Sequence, residues 1–517
     1  MPLSNWETIP TTLFLLLITT YLLRCLKSWH RLAHIPGPAL ASHSSLYLVR
    51  TLLSGKFHEH MRSISEEYGP LVRIGPNELL CTDPETLRRI CAARSPYTKG
   101  EFYETGRVIP GHDNIVTLRD ETKHKALRAK LSSAYAGRES GRGNAGLEGD
   151  INSQVKQFIR LIEEKYLSED GELRPLELTS KTMFFTLDVI SEMSFGEAFG
   201  FLREDKDLYQ FIEINDSAMP VMNFLLAVPW LTNFVYRWPL KLALPRDGDN
   251  VGLGRLMGLA KGYVDDRLVR RDDAKPGSSP SDMLQAFIKS GMDYDELVQH
   301  MFVQIVAGSV TTAAAIRHTL LALISSPACY MALRKEIDEA VAAGTISATE
   351  VITDAEAQAL PYLQAVIKEG LRMWPPTTGL GSKQVPKGGD EICGYFVPDG
   401  TQIAHNFSGI MCLEGVFGKD AKVFRPERWL ESSSREQADR LKFMNMVVDL
   451  AFSHGKYLCL GKKIALLELN KIFVELIRRY DFSLVDPHNP IKSTSGVFWL
   501  ASDLWLRVAR RQYFPHE

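Results

Sequence analysis

One cysteine, Cys459, stands between two glycines in Phe452-Ser453-His454-Gly455-Lys456-Tyr457-Leu458-Cys459-Leu460-Gly461, and a helical run follows through Tyr480. Gly455 and Gly461 let backbone pass close to a flat ligand, and amides at a helix start can donate to a thiolate and tune its electron donation. That setting suits an axial haem ligand. The competing reading is a buried core cysteine beside ordinary turn glycines, and the loop alone leaves both open.

The other six cysteines (Cys25, Cys81, Cys91, Cys329, Cys393 and Cys412) are scattered, with no C-x-x-C pair. Neither a disulfide framework nor a zinc site fits that spacing, so a reducing compartment is expected. With 45% hydrophobic and 24% charged residues, most of the 517-residue chain should fold. Lys plus Arg is 60 against 62 Asp plus Glu, a net charge of −2 without the basic excess of a nucleic-acid binder.

From Ile9 to Leu26 the chain is apolar apart from hydroxyls and Arg24. No Lys or Arg precedes this run, whereas Arg24, Lys27 and Arg31 lie at or beyond its end, which predicts an uncleaved anchor with the bulk of the chain in the cytosol. A buried N-terminal helix is the alternative. The expected organisation is a short lumenal N-terminus (1–8), a transmembrane anchor (9–26), a basic, proline-rich hinge (27–39) holding Ile35-Pro36-Gly37-Pro38-Ala39, and one catalytic domain (40–517). Exposed loops are predicted over 136–143 and 272–281. Apolar spacing predicts one long helix over 293–326, and another from Pro361 to Trp374 that Pro375-Pro376 stops. Short hairpin strands are expected between Ile392 and Ile403, so the fold class is mainly α with a minor β part.

The Cys459 loop resembles that of the cytochrome P450 superfamily, F-x-x-G-x-R-x-C-x-G, matching Phe452, Gly455, Cys459 and Gly461 and departing at Tyr457. The family's Arg there binds a haem propionate; Tyr457 would offer one neutral hydrogen bond instead. Glu369-Gly370-Leu371-Arg372 and Phe424-Arg425-Pro426-Glu427-Arg428-Trp429 resemble the family's E-x-x-R and P-E-R-F elements, with Trp in the last place. The resemblance implies a buried Glu369, Arg372 and Arg428 triad that locks the ligand loop. Ala307-Gly308-Ser309-Val310-Thr311-Thr312 resembles A-G-x-D/E-T-T, with Val310 where the family keeps a proton-delivering acid. Thr311 can bond back to the Ala307 carbonyl and open a groove for dioxygen.

Weaker matches follow the same order. His124 and Arg128 resemble the family's W/H-x-x-x-R helix, and Lys383 takes a place usually held by Arg; all three are propionate candidates by resemblance. Pocket candidates by position are Phe102, Tyr103, Val108 and Ile115, then Val303, Gln304 and Ala307 on the long helix, then Leu380, Val497 and Phe498. Lys123, Lys125, Lys130, Lys456, Lys462 and Lys463 form either a docking face for an acidic reductase or a solubilising surface.

The resemblance covers roughly Ile35 to the C-terminus and is closest to filamentous-fungal members that tailor secondary metabolites. It implies the cytochrome P450 fold, haem b, O2 and NADPH as co-substrates through an NADPH-cytochrome P450 reductase, an endoplasmic reticulum membrane, and a hydrophobic terpenoid, polyketide or alkaloid substrate. The expected reaction inserts one oxygen atom by hydroxylation, epoxidation or multistep oxidation. Val310 keeps open a rearrangement, dehydration or coupling without oxygen insertion, and a non-enzymatic membrane haem-binding protein is a third class.

Overall fold

The computed structural model describes residues 19–20, 26–107, 112–137, 143–169, 171–235, 246–271, 282–430 and 434–512. Most of the anchor expected over 9–26, the 272–281 loop, most of the 136–143 loop and Val108 lie outside the described residues.

The long helix runs Tyr294–Ile324 and begins with a reciprocal cap: Glu296 N–H donates to the Asp293 carboxylate at 2.8 Å, and Asp293 N–H donates to the Glu296 carboxylate at 3.1 Å. It is long and apolar enough to cross a membrane, but 72% of its most apolar stretch is buried inside the protein, which makes it the central core helix. Helix Leu178–Phe195 crosses it closely. Thr186 Oγ1 donates to the Ser309 carbonyl at 3.0 Å, and a Cβ on Gly308 would stand 3.1 Å from Ile190. Gly308 therefore permits the crossing of two helices, a packing role alongside the groove that its sequence context suggests.

Helix Pro361–Met373 ends one residue before Trp374, and helix Lys462–Arg479 carries the chain away from the Cys459 loop through the core. The β part is small. A five-stranded sheet takes Leu71–Arg73, Glu78–Cys81, Gln402–His405, Leu380–Gln384 and Thr98–Lys99 in that spatial order. A three-stranded sheet joins Leu176–Glu177, Trp505–Arg510 and Tyr480–Leu484, and two hairpins pair Asp390–Ile392 with Tyr395–Val397 and Lys492–Ser495 with Trp499–Ser502.

The hairpin expected between Ile392 and Ile403 is displaced. Its tight turn is Cys393-Gly394, both at positive φ, while the turn through Pro398 and Gly400 carries the chain out of that hairpin into the five-stranded sheet. Pro-Asp-Gly marks a reversal in either arrangement, so composition does not say which strands it joins.

Candidate active site

The Cys459 loop is closed by its own backbone. Cys459 N–H donates to the Phe452 carbonyl at 2.8 Å, and the chain turns at Gly455, whose φ is 57° and where a Cβ would lie 2.3 Å from the Cys91 carbonyl. Only glycine fits there. Gly461 caps helix Lys462–Arg479, and the Lys462 N–H turns back to the Cys459 carbonyl at 3.5 Å. Burial pushes the Cys459 thiol up, while the backbone N–H groups of Gly461 and Lys462 and the charges of Arg128 and Lys462 draw it down. The side chain sits among protein on nearly every side, yet its open face makes it the exposed one among the described cysteines.

Val303, Ala307 and Thr311 recur four residues apart on the stripe of the long helix that neighbouring elements leave less covered, and Ala307 is exposed. Thr311 Oγ1 donates to the Ala307 carbonyl at 2.8 Å, the back-bond expected from the sequence. Val310 turns away and lines a cavity of about 260 Å³ with Arg317, Asp216 and Trp499. That cavity lies on the other side of the helix and does not reach Cys459.

Around the Cys459 loop stands a group of buried cations. His124, on helix Glu121–Tyr135, is 3% exposed, and its imidazole is held at about 3 by burial and by the charges of Lys99, Arg128, Lys456 and Lys383. Lys383 is 1% exposed; its Nζ donates to Tyr103 Oη at 2.6 Å and to the Gly381 carbonyl at 2.8 Å. Lys99, which sequence reasoning missed, is 4% exposed and donates to the Ile115 carbonyl at 2.5 Å. Burial, then the Lys383 charge, lowers its ammonium to about 7. A threonine and a lysine in a two-residue strand carry no sequence signal of a site; the pairing of Lys99 with Lys383 across the sheet is what brings it there.

Tyr457 does something other than the single hydrogen bond expected toward a propionate. Its hydroxyl donates to the Glu121 carboxylate, which raises the phenol further above its burial-shifted value, and its ring lies 4.6 Å from Lys383 Nζ and 5.9 Å from Lys99 Nζ. The ring face, not the hydroxyl, serves the two ammonium groups.

A flat dianionic macrocycle fits this arrangement. Lys99 and Lys383 touch only neutral oxygens and form no ion pair among the described residues, although a buried ammonium without a counter-charge is costly. The two carboxylates of such a group would supply the counter-charge.

The Glu369 cluster is complete without any ligand. Arg372 grips Glu369 through Nε at 2.8 Å and Nη2 at 2.7 Å, Arg428 Nε adds a bond at 3.0 Å, and Trp429 Nε1 another at 2.9 Å. The Arg425 amide is a fifth donor at 2.8 Å. Carbonyls of Met411, Ala421 and Val423 take further Arg372 donors, and those of Phe417, Asp420 and Val423 take Arg428's. The tryptophan in place of the family's Phe thus contributes an N–H that a phenyl ring lacks.

Of the pocket candidates, Phe102, Leu380, Val497 and Phe498 meet in one apolar cluster with Phe57 and Leu226. Tyr103 faces Lys383 instead, and Ile115 packs on the main core. Gln304 is a correction: it is 4% exposed and bridges Ser194 and Tyr135, so its amide is spent holding helices together. Four of the six lysines offered as a docking face are engaged internally: Lys130 with Glu296, Lys462 with Asp449, Lys456 with Glu121, and Lys463 with the Ala136 carbonyl. Lys123 and Lys125 stand exposed.

The sequence matches the family description "Cytochrome P450" over residues 36–504. It is 40% identical to the cytochrome P450 monooxygenase ABA1 of Pyricularia oryzae over 508 residues, 96% of this chain and 95% of that one. It is 38% identical to cytochrome P450 monooxygenase aba1 of Botryotinia fuckeliana (93% and 92% covered) and to abl1 of Leptosphaeria maculans (96% and 86%). The chain belongs to the cytochrome P450 family and is an oxidoreductase of its monooxygenase class.

Proposed function

We propose that this chain is a haem-thiolate monooxygenase that places one oxygen atom from O2 on a hydrophobic small molecule of fungal secondary metabolism, of terpenoid, polyketide or alkaloid type. The observation that carries the reading is Cys459, held just before helix Lys462–Arg479 in a loop that its own N–H closes on the Phe452 carbonyl at 2.8 Å, with its remaining side left open. Haem bound there would supply a thiolate-ligated iron at which dioxygen is activated.

The chain's own residues divide the remaining work. The N-terminal end of helix Lys462–Arg479 stabilises negative charge on Sγ and moderates its donation. Lys99, Lys383, Arg128 and His124 hold the propionates. Thr311 keeps Oγ1 fixed by its bond to Ala307, on the open face of the long helix, where it can hold a proton. Phe102, Leu380, Val497 and Phe498 form an apolar wall for the substrate. Electrons come from NADPH through a reductase, with the protein tethered to the endoplasmic reticulum membrane by residues 9–26.

The carbon monoxide difference spectrum of the dithionite-reduced protein tests this beside Cys459→Ser. A strongly red-shifted Soret band that the substitution abolishes is expected. A histidine-like band in freshly folded protein overturns the assignment. Labelled dioxygen then separates oxygen insertion from rearrangement, by whether the product carries label.

A further inference from the structure

Val310 and Arg317 lie two turns apart on one face of the long helix and line the cavity that the Cys459 site does not use. Its other walls are the start of helix Leu178–Phe195, helix Phe211–Ala227 and strand Trp499–Ser502. At about 260 Å³ it is just below the ~300 Å³ at which sites for drug-sized ligands begin. Met183, Ile212, Val310 and Trp499 give it an apolar side, and the exposed Ser502 stands at its rim.

Arg317 is the charge that the fold leaves incomplete. It is 3% exposed; Nη2 donates to the Trp499 carbonyl at 3.2 Å, and Nε is buried with no hydrogen-bond partner. Burial lowers the guanidinium to about 10, which keeps it charged at neutral pH. Among the described residues it forms no ion pair. The acids of the same lining are engaged elsewhere. Glu177 accepts from the Ser180 N–H at 2.7 Å and the Leu504 N–H at 3.2 Å, and Asp503 pairs with Lys492 at 2.8 Å. Asp216 accepts from the Asn215 side-chain amide at 3.2 Å, and burial pushes its carboxyl up. A buried cation with an unused donor therefore faces an empty volume, an arrangement that is costly until an anion fills it.

The sequence adds an independent observation. The family pattern places an acid at position 310, on the wall that Arg317 shares, and this chain has Val310 there. The exchange takes a negative charge out of the cavity and puts apolar surface in its place. One end of the cavity thus suits a carboxylate and the other a hydrocarbon body.

We propose that this cavity is a second binding site, separate from the Cys459 site, for a compact monocarboxylic acid. The carboxylate accepts from Arg317 Nε, and the apolar body lies against Val310, Met183, Ile212 and Trp499. Occupancy bears on the reacting side of the helix through two neighbours in sequence: Val310 precedes Thr311, and Trp499 follows Phe498 of the apolar wall.

The test titrates the haem-loaded full chain with phenylacetate in a calorimeter, beside the isosteric, uncharged phenylacetamide. One phenylacetate per chain is expected, with the amide weaker by roughly tenfold or more. Arg317→Met and Val310→Glu should each weaken phenylacetate by a similar factor, whereas Asp216→Asn, which removes a nearby negative charge, should tighten it. The Soret band should not move, because the cavity does not reach Cys459. Equal binding of acid and amide by the wild-type protein overturns the proposal without any variant, as does an absence of phenylacetate binding up to millimolar concentration. A Soret shift that tracks the binding isotherm would place the acid beside the haem and overturn it as well. Loss of thermal stability in Asp216→Asn with no gain in affinity would make Asp216 the counter-ion that closes on Arg317, and would also overturn it.

Discussion

Two clusters of buried charge, one around Glu369 and one around Tyr457, differ in what they lack. Around Glu369, one carboxylate receives five donors from Arg372, Arg428, Trp429 and the Arg425 amide, and every arginine edge finds a carbonyl or carboxylate. Around Tyr457, four buried or half-buried basic groups converge with oxygens and ring faces for company, and among the described residues no carboxylate is in contact with Lys99 or Lys383. The first cluster is closed by the chain itself. The second is left open by the described residues, the arrangement expected where a bound anion completes the charge, so the two clusters suit folding and ligand capture respectively.

The sharpest way to break the closed cluster is Glu369→Ala. It strands two guanidinium groups in a site where Arg372 and Glu369 are fully buried, at a cost of ~3–5 kcal/mol. The expected outcome is protein recovered without haem or not at all, read by the Soret-to-protein absorbance ratio. A protein that retains full haem content with an unchanged melting midpoint would show that the cluster is dispensable.

The open cluster should instead reveal itself through pH. In the haem-free protein His124 is held at about 3, below its unfolded value of 6.5, by burial first and then by Lys99, Arg128, Lys456 and Lys383. A depressed folded value means that this contribution to stability is full above 6.5 and is lost as pH falls through the window toward 3. His124 takes up one proton on unfolding there, so it adds about 1.4 kcal/mol per pH unit to a slope to which the depressed His318 and His58 also contribute. His124→Gln should lower the slope by that increment in urea titrations of the haem-free protein across the window. An unchanged slope would leave the proton uptake to the other histidines alone and overturn the reading of His124.

Lys99→Met sharpens the comparison because its two effects oppose each other. Without haem it removes a desolvated charge that repels Lys383, and the melting midpoint should hold or rise. With haem it removes a charge-assisted contact worth ~1.5–3 kcal/mol, and transfer of haem to apomyoglobin should quicken by roughly tenfold or more. A variant losing stability in both states would make Lys99 a structural residue.

The sequence made the closed cluster legible and the open one only in part, for a physical reason. Glu369 and Arg372 are one helical turn apart, and Arg428 lies in a short run with its own pattern, so local spacing carries the contact. Lys99 reaches its place through pairing with Lys383, and nothing within a few residues announces it. The long helix was readable to within two residues because capping, period and a stop at Pro327 all act locally. The hairpin partners were not, since strand pairing is non-local. Gln304 shows the same limit: its place on the long helix is local, while its direction, set by Ser194 on another helix, is not. The N-terminal anchor remains a reading of the sequence, outside the described residues.

The smallest expected effect concerns Tyr457, where the family's Arg is missing. If the hydroxyl were the propionate donor, Tyr457→Phe would weaken haem retention about as much as losing any charged hydrogen bond, ~1.5–3 kcal/mol. The geometry assigns the hydroxyl to Glu121 and the ring to the lysines. Phenylalanine keeps the ring, and Glu121 keeps Lys456 as its partner at 3.1 Å. Haem transfer from Tyr457→Phe should therefore stay within about twofold of wild type, a difference of under ~0.5 kcal/mol. Tyr457→Leu, which removes the face that Lys383 and Lys99 lie against, should exceed it by about 1 kcal/mol. A tenfold loss already in the phenylalanine variant would return the hydroxyl to the propionate, and would make this open cluster a neutral substitute for the family's arginine rather than a lysine-built replacement.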